Sequence, residues 1–240
     1  MPRSNLPSTS VRIVHTSDTH LGDPHGHPVS EPALEKVINK VKSVNADFLI
    51  LPGDIFDNQR VKDDVVSYFL TQINRLDVPT ILLPGNHDLM DEQSIYKRKA
   101  FNNAPKNLHI FNNPEGQIIS ISNVDFWGKA MEEHSPEFKP ISGMPKSTEG
   151  RWLVSLAHGH FEEDVRETGR SSLIFPNEIA SLDCDYLALG HWDVHTDISQ
   201  NGVTAIYSGC PMGIGGKIGS VTVVDLDKIH GVSYNQVSLN

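Results

Sequence analysis

Cysteine is nearly absent: Cys184 and Cys210 are the only two in 240 residues. They are too few for a disulfide framework, so a reducing compartment, the cytoplasm, is the expectation. No apolar run approaches the roughly 18 residues that cross a bilayer. Met1–Ser10 is polar and rich in Pro and Ser, has no apolar stretch to act as a secretory signal, and reads as a short flexible tail. Basic residues are also scarce, 20 Lys and Arg against 30 Asp and Glu, for a formal net charge of −10. A protein that grips duplex nucleic acid by its phosphates presents clustered Lys and Arg, and the sequence holds no such cluster. The acidic balance therefore disfavours a dedicated DNA-binding module, but not a small anionic ligand met at a metal site. Hydrophobic residues at 38% and charged residues at 21% are ordinary globular usage. Histidine stands out, with 12 copies, several beside Asp, Asn or Gly.

The first ninety residues alternate strand and helix. Val11–Ser17 reads as a strand that ends on Asp18-Thr19-His20, and a Gly/Pro/His loop follows from Gly22 to Pro28. Ala33, Leu34, Val37, Ile38 and Val41 recur at helical spacing, which predicts a helix over Glu31–Val44 with one buried face. Phe48–Leu51 is an apolar run suited to a buried parallel strand. Val65, Val66, Phe69, Leu70 and Ile73 mark a second amphipathic helix, and Thr80–Leu83 a third strand. This order implies a parallel sheet with right-handed crossovers. Short strands are expected later at Leu108–Phe111, Gln117–Ile121, Val124–Gly128, Trp152–Ala157, Tyr186–Leu189, Thr204–Tyr207, Val221–Val224 and Val232–Val237. Few helices separate them, so part of this half should be antiparallel. Pro136–Gly150 reads as an exposed loop. With no internal repeat and no linker between two cores, one α/β domain is expected over residues 11–240.

Five polar clusters fall at expected strand ends: Asp18-Thr19-His20, Gly53-Asp54-Ile55-Phe56-Asp57, Gly85-Asn86-His87-Asp88, His158-Gly159-His160 and Gly190-His191-Trp192-Asp193. Ligands of open α/β sheets bind beyond the carboxyl ends of the strands. Carboxylates, imidazoles and an amide oxygen are the donors that a pair of divalent cations takes. Singly, each cluster has a plain reading as turn chemistry. Their joint occurrence in this order favours a metal site.

The ordered set resembles the calcineurin-like metallophosphoesterase superfamily. Its wording is similar to the SbcD-type branch of DNA-repair nucleases at His15-Thr16-Ser17-Asp18-Thr19-His20-Leu21-Gly22, Gly53-Asp54-Ile55-Phe56-Asp57 and Ala188-Leu189-Gly190-His191. It is similar again at Tyr207-Ser208-Gly209-Cys210-Pro211. The resemblance implies an α/β fold: one domain with a two-sheet β-sandwich core flanked by helices, mixed parallel and antiparallel. It also implies two divalent ions. One would take Asp18 and His20, with Asp54 bridging; Asn86, His158 and His191 would hold the other. The family's last ligand, the second His of Gly-His-x-His, falls on Asp193, with His195 two residues on as a possible substitute. Asp193 is favoured, since a carboxylate ligates directly. Three carboxylates would leave one net positive charge on the site and tilt it toward Mn²⁺ or Mg²⁺, with iron and zinc left open. His87 would be the general acid, oriented by Asp57, for in-line attack by a metal-activated hydroxide.

His158 is favoured over His160 as the ligand because the strand ends at Ala157; His160 would then touch substrate. His25 and His27 are read equally as exposed loop residues or substrate contacts, and Trp192 as stacking on a base or packing the loop, with packing favoured. The expected activity is that of a phosphodiesterase on a small or nucleotide-like ester. DNA-end hydrolysis is the alternative, disfavoured by the net charge and by the lack of a C-terminal capping domain after the last strand. A catalytically weak binding module rests only on Asp193. No membrane partner is expected.

Overall fold

A computed structural model describes residues 10–164 and 169–240. The tail expected over residues 1–10 therefore lies outside the described residues, apart from Ser10. The chain order is β1 (Ser10–His15), α1 (Ser30–Ser43), β2 (Phe48–Pro52), α2 (Asp63–Ile73), β3 (Thr80–Leu83) and β4 (Leu108–Ile110). There follow β5 (Gln117–Ile121), β6 (Val124–Gly128), β7 (Trp152–His158), β8 (His160–Phe161), β9 (Leu173–Ile174) and α3 (Pro176–Ala180). The last elements are β10 (Tyr186–Gly190), β11 (Thr196–Asp197), β12 (Thr204–Tyr207), β13 (Ser220–Asp227) and β14 (Gly231–Ser238).

Two six-stranded sheets pack face to face, in the orders β14-β13-β1-β2-β3-β4 and β11-β12-β10-β7-β6-β5. Residues alternate between faces along each strand. Ile13, Phe48, Ile50 and Ile81 therefore point inward and meet Phe126, Val154, Leu156, Tyr186 and Ala188 of the other sheet. Val14, Leu49, Leu51 and Leu82 point outward, where Leu34, Val37 and Ile38 of α1 and Val66 and Phe69 of α2 cover them. The second sheet's outer face, with Leu187, Leu189 and Tyr207, is covered by Phe161, Ile174 and Ile179. Strands buried on both sides must be apolar throughout, and hence β2 and β10 are unbroken runs. The fold is the mixed two-sheet α/β domain implied above.

The later half is more parallel than its rhythm suggests. β6, β7, β10 and β12 all run parallel, and among the described strands antiparallel pairing joins β5 to β6, β11 to β12 and β13 to its two neighbours. The crossovers are irregular segments such as 129–151 in place of long helices. No helix among the described residues is long and apolar enough to cross a membrane.

Candidate metal centre

The loops leaving β1, β2 and β3 are laced together before any ligand is considered. Asp18 N–H donates to the Gly53 carbonyl at 3.1 Å, His20 N–H to Asp54 at 3.1 Å and Leu21 N–H to Ile55 at 2.9 Å. The buried Asp88 carboxylate is the knot between the second and third loops. It accepts N–H from Ile55 at 2.8 Å, Phe56 at 3.1 Å, Asp54 at 3.2 Å and Gly85 at 2.7 Å, and the Tyr96 hydroxyl at 2.5 Å. Gly85 has to be glycine, since a Cβ there would stand 2.2 Å from Asp54 Oδ1. From the second sheet, His158 closes β7 and His191 follows β10. His158 Nδ1 donates to the Pro52 carbonyl at 2.9 Å, and His191 N–H donates to the Asp18 carboxylate at 3.0 Å. Four of these residues hold positive φ without being glycine: Asp18 (56°), His20 (43°), Asp54 (54°) and His191 (105°). Each such backbone costs on the order of 1–3 kcal/mol and persists where surroundings overdetermine it.

Four groups of donors result among the described residues, and two of them share Asp54: Asp18, His20 and Asp54; and Asp54, His158 and His191; the other two, His20 with Asp57 and His87, and Asp23 with His27 and Asp57, flank the first. Within each group the ligating atoms lie within 4.8 Å of one another. Asn86 joins the second, its Oδ1 2.9 Å from His158 Nε2 and 3.0 Å from His191 Nδ1. His158 Nε2 also stands 3.2 Å from Asp54 Oδ2. Two imidazole nitrogens, an amide oxygen and a carboxylate thus aim at one point, which is what a divalent cation satisfies. The residues fit the metal pair that the sequence implies.

The titratable groups are poised accordingly. Burial pulls His191 down to about 3, with the neighbouring His158 adding to the effect. Burial likewise lowers His20. Both are therefore neutral at pH 7, the form that ligates metal. Burial also pulls on His158, but the Asp54 and Asp18 carboxylates overcome it and raise the ring's pKa. Burial raises Asp18. Asp54 is held low despite burial, chiefly by His158.

Beside the first group, His20 Nδ1 is buried without a hydrogen-bond partner, 3.5 Å from Asp57 Oδ1. A carboxylate behind a ligating imidazole is the usual support of a metal-bound histidine. His87 lies edge-on to His20, ring centroids 4.7 Å apart. Its Nδ1 donates to the Asp57 main-chain carbonyl at 2.6 Å, while the Asp57 carboxylate is 3.8 Å away. Asp57 thus orients His87 through its backbone.

Not every expected residue arrives. Asp193 is exposed and belongs to none of the donor groups found among the described residues; its carbonyl accepts the Cys210 N–H at 3.0 Å. His195 is no substitute, because its ring is taken up by Thr222 Oγ1 at 3.2 Å and by the Ser208 backbone. The left-handed backbone at His191 brings that ring to the cluster and leaves the 193 carboxylate in solvent. His25 is exposed. Of the two loop histidines His27 reaches the site, stacked on His20 at 4.5 Å and held by Asp23 at 2.9 Å. His160 stands at the rim, its Nδ1 accepting from Trp192 Nε1 at 3.1 Å. Since indole only donates, the neutral ring carries its proton on Nε2. Trp192 is packing, as expected, stacked on Tyr207 at 4.6 Å. Sequence reasoning missed the role of Asp88, visible only as the last letter of Gly-Asn-His-Asp. It also missed His134, 6.3 Å from His191, which sits in an irregular crossover with no motif to signal it.

A sandwich of two mixed sheets with a carboxylate–imidazole–amide cluster on the loops beyond its strand ends has the architecture of a metal-site hydrolase. The sequence profile of the calcineurin-like phosphoesterases matches residues 11–195, most of the chain, and the protein belongs to that family. A dimetal phosphatase from Danio rerio superposes with a TM-score of 0.64 at 10% identity, covering 96% of each chain. An archaeal phosphodiesterase does so with a TM-score of 0.54 at 18% identity, over 95% of this chain and 99% of the other. Similarities this remote show the fold alone. The SbcD polypeptide of the nuclease SbcCD from Staphylococcus saprophyticus is 29% identical over 125 residues, 49% of this chain and 33% of the relative. The match spans a third of that polypeptide's length.

Proposed function

We propose that the protein is a phosphodiesterase acting on a small or nucleotide-like phosphate ester with two divalent ions, Mn²⁺ foremost, with Mg²⁺, Fe and Zn as the other candidates. The observation that carries the reading is the sharing of Asp54 between the two donor groups. One ion would take Asp18, His20 and Asp54; the other would take Asp54, Asn86, His158 and His191. When bound, such a pair supplies Lewis acidity that polarises phosphoryl oxygens and acidifies water.

The protein's own groups handle position and protons. Asp54 sets the separation of the two sites, and its orientation is fixed by the His87 N–H at 2.9 Å. Ser17 donates to Asp18 and orients it. His87 is the general acid. Its Nδ1–H stays on the Asp57 carbonyl, so the proton given to the leaving oxygen comes from Nε2 of the imidazolium, and the neutral ring that remains keeps the Asp57 bond.

A diester preference accords with the nuclease among the similar proteins. A second reading, hydrolysis of DNA ends, is favoured by the resemblance to the SbcCD nuclease and opposed by the net charge of −10. Turnover of bis-p-nitrophenyl phosphate and of p-nitrophenyl phosphate, each with Mn²⁺ and with EDTA, tests the proposal. Metal-dependent turnover favouring the diester is expected; no metal-dependent turnover of either ester overturns it. Salt-sensitive DNA binding together with end degradation would favour the second reading.

A further inference from the structure

A cavity of about 500 Å³ opens beside the second donor group, lined by His160, His191, Trp192, Val194, Thr196 and Ile214 among others. Two of these are large apolar side chains standing in solvent: Val194 is 60% exposed and Ile214 44%. Exposed aliphatic side chains in a cavity wall that also carries imidazole rings, Arg170 and Asp193 can take a ligand with apolar faces and polar edges.

The Ile214 wall is built to stand there. Its loop, 209–219, is anchored at the base by the Cys210 N–H on the Asp193 carbonyl, 3.0 Å, so it is tied to the same turn that carries His191. At its tip Gly215 (φ 60°) and Gly216 (φ 79°) hold left-handed backbone with nothing within 4 Å of an added Cβ. These glycines therefore set the course of the chain and make no room for packing. They carry Ile214 outward, away from the core. The other side of the cavity is rigid, since Trp192 is clamped between Tyr207 and His160.

We infer that this cavity receives the nucleoside portion of the ester whose phosphoryl group the metal cluster would hold, with Val194 and Ile214 covering apolar surface of the base. The inference rests on the phosphodiesterase reading. His191 lies in both the donor group and the cavity wall, so a phosphoryl group on the metals has its organic substituent next to the cavity. His160 Nε2–H, left available by the Trp192 bond, is a donor in the cavity wall.

Two substrates with the same leaving group test it: methyl p-nitrophenyl phosphate, which has no base, and thymidine 5′-p-nitrophenyl phosphate. The native protein is expected to show a KM about tenfold lower for the thymidine ester, the order of gain from covering an aliphatic side chain. In Val194→Ser/Ile214→Ser the two KM values should converge. Ile218→Ser, on the same loop at 64% exposure but outside the cavity lining, should keep the native ratio. Calorimetric titration of thymidine 5′-monophosphate into EDTA-treated protein should show the same loss in the double variant without reference to turnover. Hydrolysis of both diesters with an unchanged KM ratio in the double variant overturns the pocket and leaves the phosphodiesterase reading standing. Discriminating monophosphate binding with no hydrolysis of either diester keeps the pocket and overturns that reading.

Discussion

His87 and Asp88 are chain neighbours with separate duties. The His87 ring is 42% exposed at the mouth of the site; it lies in neither donor group that shares Asp54, groups with His20 and Asp57, and is the acid of the proposed reaction. Replacing it with Ala should slow diester turnover by roughly 10²–10⁴ while elemental analysis still finds the native metal content. Joint loss of rate and metal would make His87 a ligand. Asp88 lies wholly inside and accepts four backbone N–H groups and a phenol. Asp88→Ala would leave these donors buried and unpaired, at a cost of about 3–5 kcal/mol by analogy with broken buried networks. Denaturant melts should show that loss, and metal affinity should fall with it, because the same bonds set the Asp54 backbone.

Among the elements, the edge of the second sheet is pinned by one ion pair. Asp125 on β6 takes a bidentate pair of bonds from Arg151, at 2.7 and 2.8 Å, and a third from Ser120 on β5 at 2.6 Å. The Arg151 bond, more than any other influence, holds the Asp125 carboxyl below its ordinary range. A depressed carboxyl pKa contributes stability in full above its unfolded value of about 3.9, and the contribution is lost as pH falls through the folded value. Asp125→Asn should therefore be less stable than the native protein at pH 7 by about 1–2 kcal/mol. The gap between their melting temperatures should close as pH drops below about 3.9. A gap that persists in acid would assign the effect to packing.

The molecule as a whole depends on two sheets meeting across polar as well as apolar contacts. His15, completely buried on β1, reaches the other sheet through Tyr186 Oη at 2.8 Å and the Leu189 carbonyl at 3.2 Å. Burial pulls its pKa down to about 3. Below about pH 6.5 the unfolded chain takes up a proton here that the native protein refuses. This group alone therefore removes about 1.4 kcal/mol of stability per pH unit between roughly pH 6.5 and 3. His15→Gln can keep both hydrogen bonds without titrating, and should flatten the acid limb of a stability–pH curve measured on metal-free protein. An unchanged slope would mean that the other buried histidines carry the acid sensitivity.

Much of this protein could be read along the chain. Apolar runs at Phe48–Leu51 and Tyr186–Leu189 and helical spacing from Ala33 to Val41 set β2, β10 and α1 nearly to the residue, because burial on one or both faces leaves its mark in the sequence. The clustering of polar side chains at 18, 20, 54, 86, 158 and 191 was legible because strand ends funnel polar groups to one edge of a sheet. The fate of 193 was not: a left-handed turn at His191, fixed by bonds to Asp18 and by packing around Trp192, decides which side chain faces in and which faces water. The selection of His27 over His25, the knot at Asp88, and the presence of Val194 and Ile214 in one cavity lining likewise join positions far apart or equivalent in composition. Local pattern specifies what each strand end offers; only the docking of one sheet on the other selects which offers meet.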